Sequence, residues 1–309
     1  MQAITKHTAQ LTKADQLETL KSIIQNSLRK NSKRTYQNAL KNFADWCRRN
    51  GCSEINTTNV LLYLADLSKS YKINTIKTYF SAVKQLAKEQ GVNLDMDKIK
   101  RFFKGLNNTI QTTNKGAKAL DYDYLKQVIK QIDTSTIKGK RDKAILLLGW
   151  FGAFRRSELA NLDYADLTET PKGFNVFIRH SKTDKENKGF YKAIPYNLKD
   201  KNLCPVLALK DYISSAGIKD GALFRTIKKG GKVTQNRISD NDIYRLIKRI
   251  APDFSAHSLR VGFITSASEK GANPQMIMKQ TGHKTVQMIA HYTRSNDVWQ
   301  SNAVSLFTD

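Results

Sequence analysis

The sequence predicts a mainly α protein of two domains, an N-terminal helical bundle followed by an α-rich domain that carries a small antiparallel sheet. Three observations point there. Apolar residues recur at helical spacing through residues 14–107. The stretch 108–118 is polar, holds one glycine and shows no apolar period, so it reads as a linker. Within 119–309 a single pair of β-prone runs flanks a polar turn, in an otherwise helical context. At 309 residues the chain can give each domain its own core.

The elements follow in order, after a polar tail over 1–13. Leu17, Leu20, Ile23, Ile24 and Leu28 line one helical face, and Tyr36, Leu40, Phe43, Trp46 and Cys47 line the next. Thr57 or Thr58 is the expected cap of a third helix with Val60, Leu61, Leu64 and Leu67. Asn74 is the expected cap of a fourth, with Ile76, Tyr79, Phe80, Val83 and Leu86, and a shorter helix is expected over Met96–Leu106. Beyond the linker, Tyr122–Ile132 and Arg141–Ala153 read as helices. Phe174–Ile178 and Phe190–Ile194 read as strands about a turn over Lys182–Gly189. Helices resume at Pro205–Ala216, Asp240–Ile250, Ser258–Glu269 and Pro274–Thr281. No internal repeat or low-complexity segment is present.

Charge gives the first functional indication. Lysine and arginine total 52 against 27 acidic residues, a net charge of +25. Such a surplus suits a polyanion, because each cation that neutralises a phosphate releases condensed counterions. It is scattered along the chain and not gathered on one amphipathic segment, which argues against a membrane-surface role. No run of 18 or more apolar residues occurs, and Met1 to Lys13 lacks an apolar core of signal-peptide length, so a cytoplasmic protein is expected. The cysteines, Cys47, Cys52 and Cys204, are odd in number and sparse, which fits a reducing compartment, and Cys47 and Cys52 are expected to be buried apolar thiols.

Four motifs in the second domain carry chemistry: Gly152-Ala-Phe-Arg-Arg-Ser-Glu-Leu159, Ser181-Lys-Thr-Asp184, His257-Ser-Leu-Arg260, and Thr281-Gly-His-Lys284 with Tyr292 nine residues after His283. Together, in this order, they resemble the tyrosine recombinase (phage integrase) family, and the resemblance covers nearly the whole chain. It implies a SAM-like core-binding bundle, a catalytic domain of the DNA breaking-rejoining fold, and catalytic roles for Arg155, Lys182, His257, Arg260, His283 and the nucleophile Tyr292. Two departures stand out. Gly152 lies three residues before Arg155 where many members have it two before, so the choice of Arg155 over Arg156 rests on the Ser157-Glu158-Leu159 that follows. Thr281 stands where leucine is common, a difference expected to be without consequence.

The chemistry asks independently for these residue types. Two guanidiniums can grip the non-bridging oxygens of a phosphodiester and stay charged at any relevant pH. A tyrosine hydroxyl, with an ordinary pKa of about 10, needs cations and a proton acceptor nearby. Lys182 on the turn suits protonation of the leaving 5′ oxygen, His257 suits acid–base work, and His283 a hydrogen bond to phosphate. Glu158, three residues from Arg155, suits holding it in place. Taken singly, each has an ordinary reading as a solvated charge, a surface turn lysine, a structural histidine or a core ring; the joint order decides against that. A zinc site from His257, His283 and His291 is disfavoured, since no His-Glu-x-x-His occurs and Cys204 is distant. No metal and no cofactor are expected.

The resemblance further implies double-stranded DNA with inverted core half-sites, self-association into a synaptic tetramer and exchange through a Holliday junction. It leaves open a directionality or DNA-bending accessory protein, and it places the chain on the nucleoid when bound. The residues ahead of the bundle leave no room for an arm-binding domain, which fits a simple recombinase. The tail 294–309, with apolar Val298, Trp299, Val304, Leu306 and Phe307, is expected either to fold back on its own catalytic domain or, as the resemblance implies, to pack in a neighbouring protomer's groove. Two alternatives stay open: relaxation of strands in the manner of a type IB topoisomerase, and DNA-binding regulation with a decayed site, against which the six intact residues argue.

Overall fold

The computed structural model describes residues 30–109, 117–179, 181 and 188–293, the side chains of 30, 31 and 290–293 excepted. The chain divides into two compact units, 1–114 and 115–309. The expected helix about Leu17–Leu28, the side chain of Tyr292, and the whole of Lys182 and the tail 294–309 lie outside the described residues.

Among its described residues the first unit has four helices: α1 (Lys30–Arg49), α2 (Thr57–Ser68), α3 (Ile73–Glu89) and α4 (Met96–Thr109). Their apolar faces meet in one core of Phe43, Trp46, Tyr63, Leu64, Ile76, Val83 and Ile99. Both expected caps are displaced. Asn56, not Thr57 or Thr58, caps α2, its side chain accepting from the Asn59 N–H at 2.9 Å. The Thr57 hydroxyl instead accepts from the Asp95 N–H at 2.9 Å, tying α2 to the approach of α4. Asn74 lies inside α3, whose cap position is Lys72. The last helix runs three residues past Leu106, so residues 108 and 109, expected in the linker, are helical. Cys47 and Cys52, expected to be buried, are only half-buried, whereas Cys204 is buried.

The described residues of the second unit are mainly helical with two small antiparallel sheets, in agreement with the predicted class. Its order is α5 (Tyr122–Lys130), α6 (Ile137–Phe151), the one-turn α7 (Arg156–Ala160), β1 (Leu167–Thr170), β2 (Gly173–Ile178), β3 (Phe190–Pro195), α8 (Pro205–Ala216), β4 (Arg225–Ile227), β5 (Val233–Arg237), α9 (Asp240–Ile250), α10 (Ala256–Glu269), α11 (Pro274–Thr281) and α12 (Val286–Thr293). β1 adds to the predicted β2–β3 pair, giving the order β1-β2-β3, and β4 pairs with β5. The register sets Val176 opposite Lys192 and Ile178 opposite Phe190. No helix among the described residues is long and apolar enough to cross a membrane.

Helix α6 is the axis of this unit. Ile145, Leu147 and Leu148 are fully buried on different faces, as for a helix enclosed all round. It packs on α8 and on α10. α10 passes against the segment that leads into α5, where a Cβ on Gly262 would fall 1.7 Å from the Leu120 carbonyl oxygen. Only glycine permits this approach, and it seats Arg260, half a turn earlier, beside the end of α6. Ile264, Ile277 and Ile289 then join α10, α11 and α12 in a small separate core, which places the helix bearing Tyr292 next to the one bearing Arg260.

Candidate active site

The site begins where α6 stops. The chain turns sharply through Gly152 and Ala153, with Ala153 at φ +46°, the left-handed region that favours glycine. Ala153 is two residues before Arg155, where the family resemblance expects glycine, so the first departure is a displaced glycine beside an alanine bearing its conformation. The turn aims its carbonyls inward. Ala153 O accepts from Arg260 Nη1 at 2.8 Å and from Lys192 Nζ at 3.4 Å, and Gly152 O accepts from Lys192 Nζ at 2.6 Å.

Arg155 then opens α7. Glu158 Oε2 accepts from the Arg155 backbone N–H at 2.9 Å, and Oε1 from its Nη1 at 2.7 Å. Ser181 Oγ donates to Glu158 Oε1 at 2.7 Å and accepts from Arg155 Nη1 at 2.8 Å. The residue before Lys182 is thereby tied to Arg155. Burial pushes the Glu158 carboxyl up, but Lys192 and Arg155 outweigh it and hold it below the usual carboxylate range. Arg156 points elsewhere, pairing with Asp240 at 2.9 Å and lying over the Tyr244 ring.

Arg260 is almost wholly buried, at 1% exposure. Its Nη2 lies 2.9 Å from His283 Nε2, and His283 Nδ1 lies 2.9 Å from Thr281 Oγ1. Burial first, then Arg260, Arg155, His257 and Lys192, push His283 down to about 4, so the ring is neutral at physiological pH. His257 sits one turn before Arg260 on α10. Its surface is open to solvent, yet protein crowds the ring, and that desolvation, with Arg260 and Arg155, lowers its pKa too. The structure therefore gathers Arg155, Arg260, His257 and His283 about one turn.

Lys192 was not foreseen. On β3 it shares the inward face with Phe190 and Ile194, and its side chain has no exposure. The ammonium lies 4.0 Å from Glu158 Oε2 and over the Phe154 ring at 4.5 Å. Burial lowers its pKa to about 7; Glu158 opposes that, while Arg260 and Arg155 add to it. The signal was in the sequence: strand alternation through Phe190-Tyr-Lys-Ala-Ile194 puts a charge on the apolar face, which is uncommon without a partner.

Comparison with known proteins places this geometry. Residues 118–298 match the phage integrase family, and residues 17–90 match its N-terminal SAM-like domain. An integrase/recombinase xerD homolog of Selenomonas ruminantium is 31% identical over 296 residues, covering 89% of this chain and 84% of that protein. Among solved structures, XerH recombinase bound to a palindromic difH substrate superposes with a TM-score of 0.64 at 18% identity, over 89% of this chain and 80% of that one. The Tn1549 transposon integrase in complex with transposon right end DNA gives 0.64 at 16% identity, over 95% and 99%. Matched across both units and over most of its length, this chain belongs to the phage integrase family of tyrosine-type site-specific recombinases.

Proposed function

We propose that the chain cleaves and rejoins duplex DNA through Tyr292, with Arg155, Lys182, His257, Arg260 and His283 as the site. The phenolic oxygen of Tyr292 attacks the scissile phosphorus while its proton passes to His257. The bond to the 5′ oxygen breaks, and that oxygen takes a proton from Lys182. Arg155 and Arg260 meet the charge that builds on the non-bridging oxygens. His283 acts through Arg260, whose guanidinium its Nε2 receives. The product is a 3′-phosphotyrosine and a free 5′ hydroxyl. The phosphoester bond energy is kept, so a second strand can reverse the step without ATP.

The observation that carries this reading is the convergence of two arginines from distant segments on one turn, the first held by Glu158 and the second by the Ala153 carbonyl. Because Arg260 is 1% exposed, the protein over it must move aside when a phosphate arrives. Such a motion would couple cleavage to assembly on DNA. The partners in this reading are duplex DNA with inverted core half-sites and three further copies of the chain, with a directionality or DNA-bending protein as an optional addition.

A suicide substrate, nicked beside the cleavage point, tests it. The full chain should form an SDS-stable, protease-sensitive adduct that Tyr292→Phe abolishes while binding the same half-site with unchanged affinity. Two such sites in one reaction should then yield recombinant products. An adduct formed by the Tyr292→Phe chain would overturn the assignment.

A further inference from the structure

Thr281 closes α11 and is fully buried. Its hydroxyl, at a position where leucine is common, lies between the helix and His283. Oγ1 is 2.7 Å from the Ile277 carbonyl oxygen. A carbonyl can only accept, so the hydroxyl proton is used there. Toward His283 Nδ1, at 2.9 Å, the same oxygen can then only accept, and Nδ1 must carry the hydrogen. Gly282, at φ +71°, turns the chain so that the ring comes back over the threonine two residues before it.

The far side of the ring gives the same answer independently. Arg260 Nη2 lies 2.9 Å from His283 Nε2. A guanidinium has donors and no acceptor, so Nε2 must be without a proton. An Nε2–H tautomer or an imidazolium would set N–H against N–H at this distance. The low pKa of His283, about 4, agrees with a ring that resists a second proton. Arg260 is thus fixed at two points, Nη1 on Ala153 O at 2.8 Å and Nη2 on His283 Nε2.

We propose that Thr281 is a positioning residue, whose hydroxyl holds His283 as the neutral Nδ1–H tautomer and so makes Nε2 the acceptor that fixes the Arg260 guanidinium. A leucine at this position has no atom that could do this, so the device belongs to this sequence and not to the motif. The consequence for cleavage rests on the reading above, in which Arg260 meets charge on the scissile phosphate.

The test uses the full chain with Thr281→Val, which keeps the shape and removes the hydroxyl, and Thr281→Ser, which restores it. Long-range ¹H–¹⁵N spectra of histidine-labelled protein, with His283→Gln to identify the resonance, report the tautomer. The wild type and Thr281→Ser should show Nδ1–H; in Thr281→Val the Nδ1–H loses its acceptor, and Nε2–H should gain population as the Arg260 contact is lost. Single-turnover adduct formation at saturating suicide substrate should fall about 10-fold in Thr281→Val, the order of one lost orienting hydrogen bond, and stay within about 3-fold in Thr281→Ser. An Nε2–H ring in the wild type would overturn the proposal, as would a Thr281→Val chain with the wild-type rate. The spectrum needs no DNA, so the wild-type and serine chains decide the hydrogen-bond assignment even if the valine chain fails to fold. A wild type that shows Nδ1–H but forms no adduct would overturn the recombination reading and the positioning role with it, leaving the two failures distinguishable.

Discussion

Replacing Lys192 by methionine should change how stability depends on pH. The ammonium is enclosed, with two turn carbonyls at 2.6 and 3.4 Å and the Glu158 carboxylate at 4.0 Å, and its pKa falls from 10.5 to about 7. Between those values the unfolded chain holds a proton that the folded chain has lost, so unfolding takes up a proton and stability rises with pH. The stabilisation is complete above 10.5 and is lost as pH falls through the window to about 7, below which the curve flattens. Each pH unit inside the window is worth about 1.4 kcal/mol, so roughly 2 kcal/mol should separate pH 7 from pH 9. Methionine fills a similar volume and has no such titration. Urea unfolding of the two full chains at pH 6, 7, 8 and 9, fitted for the transition that the substitution moves, gives the difference directly. Other groups titrate in both chains and cancel. The wild type should gain on the Lys192→Met chain by about 2 kcal/mol from pH 7 to 9 but only by about 0.4 kcal/mol from pH 6 to 7. Parallel curves across the range would refute the assignment of a depressed, buried lysine at this position.

The assignment between the two neighbouring arginines is checked by the same adduct assay, with folding verified by circular dichroism. Arg155→Ala should lower the rate about 10²-fold or more, since it removes a grip on transition-state charge, whereas Arg156→Ala gives up only a half-exposed bridge to Asp240 worth about 0–1 kcal/mol. A reversed order would move the site by one residue. At Ala153 the left-handed backbone sets the outcome: Ala153→Gly should leave the unfolding free energy within about 1 kcal/mol, while Ala153→Val, with a branched Cβ at φ +46°, should cost about 2 kcal/mol or more by thermal or urea unfolding. A valine chain as stable as the wild type would show that the turn is not strained in this way.

Much of this architecture was legible because long amphipathic helices write their period into the sequence. α1 to α4, α8, α9 and α11 follow from apolar spacing alone. What escaped was short or set by tertiary contact. β1, Leu-Thr-Glu-Thr, buries no alternating face; α7 is a single turn; β4 is three residues long. The Asn56-Thr-Thr run offers three capping side chains, and only the reach of Thr57 to the Asp95 amide, 38 residues away, frees the position for Asn56. The site divides along the same line. Arg155, His257, Arg260 and His283 could be named as candidates because their order and spacing are local facts. The part played by Thr281 depends on a ring folding back over it, and that of Lys192 on which carbonyls the α6 turn presents, neither of which is written in a linear motif.

That turn explains why a lysine is tolerated in the core. Ala153 adopts a conformation that is unfavourable for a residue with a Cβ, and its carbonyl is thereby directed inward at the end of α6, away from any helical partner. Left alone, a buried carbonyl there would cost about 1–3 kcal/mol. Arg260 arrives from α10 and Lys192 from β3, and both donate to it. A neutral donor could satisfy the carbonyl equally well. Arg260, and Lys192 when protonated, do more, because their charge requires a counterion, and Glu158 supplies it while also binding the backbone and side chain of Arg155. One carbonyl and one carboxylate therefore tie together strand β3, the helix that bears Arg260 and the turn that delivers Arg155. Moving any one of the three elements strains the other two. If Arg155 and Arg260 grip one phosphate, as proposed, this mutual constraint is what holds their separation fixed.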